Sequence, residues 1–177
     1  MTDAELAQAL KETALLEGDF TLRSGRKSKY YLDKYLFETQ PDLLRELARR
    51  FARLIDADVD RIAGAELGGI ALATATALET GKPFVIVRNS KKAGYGTGKL
   101  IEGRLNPGER VVLVEDIATS GGQAIEAVKT LRDAGAAVTK VIVTIDRQEG
   151  GREAIESAGV RCEALFTTAQ LGIQIPR

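Results

Sequence analysis

Apolar positions in this chain follow two rhythms. Three stretches are nearly continuous: "PFVIVR" from Pro83, "RVVLVED" from Arg110 and "VTKVIVTID" from Val138. Runs of this kind are the mark of strands buried on both faces. Between and around them apolar residues recur at helical spacing. Leu6, Leu10 and Leu15 predict a short helix over 3–16, and Pro41 opens another carrying Leu44, Leu47, Phe51 and Leu54–Ile55. "VDRIAGAELGG" reads as a short strand ending in a glycine turn, followed by an alanine-rich helix from Ile70 to Thr80. Ile125, Val128 and Leu131 mark a helix over 122–134 that Gly135 ends, and "GREAIESAG" marks a last short one. Apolar strands alternating with helices predict an α/β fold, a mostly parallel twisted sheet covered on both faces. Two stretches break the alternation. Phe20, Leu22, Tyr30, Tyr31 and Leu32, on either side of a Ser-Gly turn, predict a β-hairpin, and "VRCEALFTTAQL" near the end is expected to join it in a small appendage.

Composition narrows the class. A chain of 177 residues is expected to form one domain with a core large enough to need no staples. Lys+Arg and Asp+Glu both number 25, so no net charge favours nucleic acid. A single cysteine, Cys162, excludes an intrachain disulfide and fits a reducing cytoplasm. With no basic, apolar leader pattern and no run of 18 apolar residues, neither export nor a membrane span is expected. Histidine is absent, so Ser-His and Cys-His nucleophiles and histidine metal ligands are ruled out.

Candidate chemistry concentrates where the second apolar run ends, in "VVLVEDIATSGGQ". Ligands of open α/β sheets sit beyond the carboxyl ends of the strands. Gly121 and Gly122 let backbone approach a ligand, Thr119 and Ser120 bring hydroxyls, and the helix that follows offers free N–H groups and a partial positive charge. That is a phosphate site. Glu115 and Asp116 would repel a phosphate but suit paired hydroxyls, as on a ribose, or a hydrated Mg²⁺. An acidic strand end followed by a Thr/Ser cap would have the same sequence. Neither a P-loop nor a Gly-x-Gly-x-x-Gly turn is present.

"VVLVEDIATSGG" resembles the 5-phosphoribosyl-1-pyrophosphate (PRPP) signature of the type I phosphoribosyltransferases. With "FTLRSGRKSKYYLD", "GAELGGIALA", "VRNSKKAGYGTGKLIEG" and "IDRQEGGREAIESAGV", nearly the whole chain is similar to the orotate phosphoribosyltransferase family. The resemblance implies a type I phosphoribosyltransferase fold spanning 1–177, with a hood of about 1–35 plus the C-terminal segment and a core of about 41–160. It implies transfer of the phosphoribosyl group from PRPP to orotate, with Mg²⁺ carried by PRPP and no direct protein ligand to the metal. It also implies a cytoplasmic homodimer with shared active sites and no nucleic-acid or membrane partner.

Residue roles follow from the same resemblance. Glu115 and Asp116 match acids that hold the ribose hydroxyls. Ile117, Ala118, Thr119, Ser120, Gly121, Gly122 and Gln123 match the cradle of the 5-phosphate. Thr119, Arg23, Tyr31 and Leu32 match positions around the base. Arg147 matches an arginine facing the orotate carboxylate, which a planar guanidinium suits. "GAELGG" matches the pyrophosphate loop, with Gly68 where some members carry lysine. Arg88, Asn89, Lys91, Lys92 and Tyr95 fall in a segment resembling the catalytic loop. From 88 to 104 five cations face Glu102 alone, among alternating glycines, as suits closure over a pyrophosphate. Lys92, Arg88 and Asp116 are the catalytic candidates, with Lys91 as the alternative lysine. Asn89 stands where the family has a cation and Tyr95 one residue beyond its histidine. A phosphoribosyltransferase for another base and a PRPP-sensing regulator remain alternatives.

Overall fold

A computed structural model describes residues 1–21, 25, 27–90 and 98–173. Its centre is a six-stranded sheet ordered β5-β4-β3-β6-β7-β8. The strands are β3 (Arg61–Ala65), β4 (Phe84–Val87), β5 (Ile101–Glu102), β6 (Arg110–Ala118), β7 (Ala137–Asp146) and β8 (Arg161–Thr167). All neighbours pair in parallel except the two-residue β5, which lies antiparallel on the β4 edge. Such a sheet needs cover on both faces, and the period of two along each strand supplies an apolar row to each. In β6, Val112 and Val114 face one core while Val111 and Leu113 face the other.

The first core is covered by α1 (Asp3–Ala14), α2 (Lys34–Glu38), α3 (Pro41–Leu54) and α4 (Gly68–Thr80). Leu6, Leu10, Phe37, Leu47, Phe51 and Leu72 are the large, fully closed side chains these helices bring to it. The second is covered by α5 (Gly122–Asp133) and α6 (Gly151–Ser157), through Val128, Leu131 and Ile155. Local signals set several helix ends. Thr2 and Glu5 form a reciprocal capping box at α1, Pro41 takes the first turn of α3, and Gly135, at φ +91°, follows α5.

The hairpin is present as β1 (Leu15–Thr21) and β2 (Lys27–Leu32), antiparallel, with Leu15 opposite Leu32. Its preceding helix is no separate appendage. Leu6 and Leu10 lie in the first core, and Arg50 of α3 binds Asp3 at 2.9 Å and the Met1 carbonyl at 2.8 Å. The C-terminal expectation needs correction. Residues 161–167, assigned to the appendage, form β8, an edge strand of the main sheet parallel to β7. The polar residues that disguised it, Glu163 and Thr167 among them, are tolerated because an edge strand has one neighbour only. After β8 the chain turns back to α1: Leu171 and Ile173 enter the first core, and Lys11 donates to the Gly172 carbonyl at 3.1 Å. Two short elements, α2 and β5, were not legible in the apolar pattern.

Candidate active site

The carboxyl ends of β3, β4, β6 and β7 converge with the N-termini of α4 and α5. At the end of β6, Glu115 and Asp116 are 4% and 3% exposed. Asp116 Oδ1 accepts the Ile117 N–H at 2.5 Å, and Oδ2 pairs with Lys34 Nζ at 2.7 Å. Glu38, one helical turn after Lys34 on α2, is 3% exposed and its Oε1 has no hydrogen-bond partner among the described residues. Burial, and then the Asp116 charge, push both Glu38 and Glu115 up to about 8. Burial alone would depress Lys34, but the Asp116 carboxylate outweighs it and holds the ammonium above its ordinary value. Three acids and one ammonium therefore carry little net charge near neutral pH.

Gly68 closes this cluster from the α4 side. A Cβ there would fall 1.9 Å from Asp116 Oδ2 and 3.0 Å from Glu38 Oε1, so only glycine admits this approach of helix to acid. α4 has no side-chain cap bond, leaving its first N–H groups turned toward the same place.

The segment after β6 is the predicted anion cradle. Thr119, Ser120, Gly122 and Gln123 are exposed, and α5 starts without a side-chain cap. Gly121 turns the chain at φ +76°, where a Cβ would meet the Gly151 carbonyl at 2.6 Å. Arg88, Asn89, Ser120, Gly122 and Gln123 all line a cavity of about 600 Å³. Ile117 and Ala118 line a smaller one of about 60 Å³ with Glu115, Asp116 and Lys34. Asn89 and Gln123 have a task within the protein: their amide nitrogens donate to the Glu66 carbonyl at 3.0 and 2.8 Å. The Asn89 N–H adds a 2.6 Å bond to the Glu66 carboxylate. The two residues tie the turn between β3 and α4 to the cradle. Arg88 reaches Glu102 Oε1 at 3.8 Å and the Ser90 carbonyl at 3.3 Å.

Arg147 follows β7. Ala118 pairs with Asp146, so Thr119 and Arg147 leave adjacent strands side by side. The Arg147 side chain is buried, with Nη2 2.9 Å from Glu149 Oε1 and 3.2 Å from the Tyr30 hydroxyl; Nε has no hydrogen-bond partner among the described residues. The two predicted base-flanking residues separate. Tyr31 is 41% exposed and stacks at 5.7 Å with Phe20. Leu32 is 4% exposed and packs in the first core, because strand alternation turns it away from the face Tyr31 presents. Its side chain therefore packs inward, on the other side of the strand from Tyr31. Tyr30 takes the contact with Arg147. Arg23, Lys91, Lys92 and Tyr95 lie outside the described residues.

Lys34, Glu38 and Tyr30 were missed in the sequence. Lys34 and Glu38 sit at i,i+4 spacing in a five-residue helix with no apolar period, and charged residues at that spacing are usually solvated. Cys162 offers no chemistry: burial pushes its thiol up to about 11. No group of three or more acidic, cysteine or histidine side chains with metal-holding geometry occurs among the described residues.

The phosphoribosyl transferase domain family matches residues 36–166, taking in β3 through β8 nearly to its end. A protein of Methanocella arvoryzae named orotate phosphoribosyltransferase is 49% identical over 170 residues, covering 96% of this chain and 97% of its own. The chain belongs to the orotate phosphoribosyltransferases. Solved structures agree with this. The Mycobacterium tuberculosis H37Rv orotate phosphoribosyltransferase, in complex with Fe(III) dicitrate, superposes with a TM-score of 0.86 at 35% identity, covering 96% of this chain and 98% of that one. The same enzyme in complex with PRPP gives 0.81 at 34% identity over 96% and 98%. An orotate phosphoribosyltransferase needs three adjoining subsites, for a phosphate, a ribose diol and a carboxylated base. Here the α5 cradle follows the Glu115–Asp116 pair directly in the chain, and Arg147 leaves the neighbouring strand beside Thr119.

Proposed function

We infer that this chain transfers the 5-phosphoribosyl group of PRPP to orotate, releasing pyrophosphate and orotidine 5'-monophosphate for pyrimidine biosynthesis. The observation that carries the reading is Arg147: a buried guanidinium with an unpartnered Nε, beside Thr119 of the phosphate cradle. A buried charged donor left open is costly unless a ligand completes it, and a carboxylate matches its geometry.

The 5-phosphate sits on the backbone N–H groups at the start of α5 and the Thr119 and Ser120 hydroxyls. Glu115 and Asp116 accept the ribose hydroxyls. The C1–O bond breaks with its electron pair leaving on pyrophosphate, while N1 of orotate supplies the new bond and passes its proton to the departing pyrophosphate. No covalent enzyme intermediate is needed. The protein contributes positioning and stabilisation of the leaving charge, from Arg88 and the loop lysines Lys91 and Lys92. Asp116 stabilises the cationic character that builds on the ribose. The orotate carboxylate meets Arg147, with Tyr31 beside the base; Arg23 belongs to the same subsite.

Mg²⁺ fits this arrangement as a companion of PRPP. The Lys34 ammonium already holds Asp116 Oδ2 at 2.7 Å, which disfavours direct carboxylate ligation. When bound, the ion offsets pyrophosphate charge. The active unit is a homodimer in which the 88–104 loop serves the neighbour's site, and the enzyme works in the cytoplasm; no helix among the described residues is long and apolar enough to cross a membrane. The test is loss of orotate absorbance in the presence of PRPP and Mg²⁺, with uracil and hypoxanthine as controls. Turnover of hypoxanthine but not orotate would overturn the reading.

A further inference from the structure

The Lys34–Asp116 pair sits where substrate must enter. Asp116 has one oxygen engaged by its own strand end, through Ile117, and the other by Lys34. A ribose diol that binds Asp116 must share or displace that ammonium. Lys34 is otherwise held only lightly: its side chain is 27% exposed, with the Tyr35 ring 5.3 Å from Nζ. Beside the same Oδ2 lies Gly68, the first residue of α4, whose N-terminal N–H groups carry no side-chain cap.

We propose that Lys34 is a pyrophosphate-binding residue, released from Asp116 when the ribose diol docks there and then donating to the leaving pyrophosphate alongside the α4 N-terminus. The inference rests on reading this cleft as the PRPP site. Its logic is charge. In this arrangement the ammonium and the Asp116 carboxylate neutralise one another, with Glu38 and Glu115 largely protonated by burial. Once hydroxyl donors satisfy Asp116, the ammonium is left over, at the mouth of a helix whose partial positive charge already favours an anion. Without Lys34, Asp116 would face the pyrophosphate with no cation between them, and like charges would oppose binding. Glycine at 68 makes room: any side chain there would displace the Asp116 carboxylate.

Binding of two partial ligands separates this role from its alternatives. Titrate wild type, Lys34→Gln and Lys34→Arg with pyrophosphate plus Mg²⁺ in the presence of saturating ribose 5-phosphate, and separately with ribose 5-phosphate alone, by calorimetry. Pyrophosphate affinity should fall by about 10–100-fold in Lys34→Gln, the loss of one charged hydrogen bond. Ribose 5-phosphate affinity should stay within about twofold, and the KM for PRPP should rise while that for orotate does not. Lys34→Arg should keep most of the pyrophosphate affinity. Unchanged pyrophosphate binding with weaker ribose 5-phosphate binding would overturn the proposal, leaving Lys34 to shape Asp116 alone. Unchanged pyrophosphate binding with tighter ribose 5-phosphate binding would overturn it as well, making Lys34 a latch on the empty site. If Lys34→Gln does not fold, Lys34→Arg decides: arginine binding pyrophosphate no better than about a hundredth of wild type rules out a cation role. A wild-type protein that binds neither ligand would refute the reading of the cleft instead.

Discussion

The Tyr30 hydroxyl lies 3.2 Å from Arg147 Nη2, and the guanidinium stands 5.6 Å from the centre of the Tyr30 ring. One contact thus joins the N-terminal hairpin to the end of β7, 117 residues later. Glu149 holds the same nitrogen at 2.9 Å, so Arg147 is oriented from two sides and keeps Nε for a ligand. Orientation before binding lowers the entropy lost on binding.

Arg147→Ala is therefore expected to weaken orotate binding by about 10–100-fold, one charged hydrogen-bonded contact, with PRPP affinity unchanged. Tyr30→Phe keeps the ring and loses the hydroxyl, so the KM for orotate should rise about fivefold with the PRPP value unmoved. Steady-state kinetics with each substrate varied in turn checks both. Equal loss of both affinities in Arg147→Ala would assign Arg147 to the scaffold.

Much of this architecture was legible in the sequence, and the exceptions share a cause. Central strands such as β6 announce themselves because both faces are buried and the run from Val111 to Val114 is apolar throughout. β8 did not, since an edge strand with one neighbour tolerates Glu163 and Thr167. The cradle 117–123 was legible because close backbone approach demands glycine and anion binding favours hydroxyls at a helix start. Lys34, Glu38 and Tyr30 were not, because their roles arise from tertiary placement: α2 has one turn and no period, and only folding brings it against Asp116. The inward turn of Leu32 was not legible either, because a resemblance aligns positions while the strand's alternation decides which way each side chain turns.

Buried acids make a pH prediction. Glu38 is raised from 4.5 to about 8 by burial and then by Asp116, with Lys34 opposing and Asp33 adding. The folded state therefore holds a proton that the unfolded state has released between these values. Its stabilising share is fully present below 4.5 and is lost as pH rises to about 8. Glu38→Gln removes the penalty of an ionised buried carboxyl. It should match wild type near pH 5 and exceed it above pH 8 by about 1–3 kcal/mol, allowing for relaxation and water entry. Urea midpoints at the two pH values measure it. Glu115, raised likewise to about 8, keeps a residual slope in the variant. A difference independent of pH would show that Glu38 is not the proton holder.

Gly68→Ala tests the fit of α4 against the acids. The added methyl would start 1.9 Å from Asp116 Oδ2, so the carboxylate must move and the Lys34 pair with it. Overpacking of this kind costs about 1–3 kcal/mol of stability. Because the displaced group is Asp116, kcat/KM for PRPP should fall at least about tenfold, beyond what the stability loss implies at a temperature where the variant remains folded. Activity at the wild-type level would show that Asp116 can take another position and still serve the ribose.

The shared-site dimer is tested by complementation between inactive parents. Lys92, from the loop, is proposed to act on pyrophosphate in the neighbour's site, while Asp116 acts on the ribose in its own. Lys92→Ala and Asp116→Ala parents each carry a defect in every site. In a mixed dimer with a swapped loop, one site collects both defects and the other has none, so mixing under subunit exchange should restore activity. Random exchange makes half the dimers mixed with one good site each, which sets a ceiling of about a quarter of wild type. Each parent must be nearly inactive, and loss of a donor that stabilises leaving charge costs about 10²–10³-fold. No recovery, with exchange confirmed by mass-labelled subunits, would falsify the shared site, since a loop serving its own subunit leaves every site defective. An active Lys92→Ala protein together with recovery from a Lys91→Ala parent would move the catalytic assignment by one residue and leave the sharing intact.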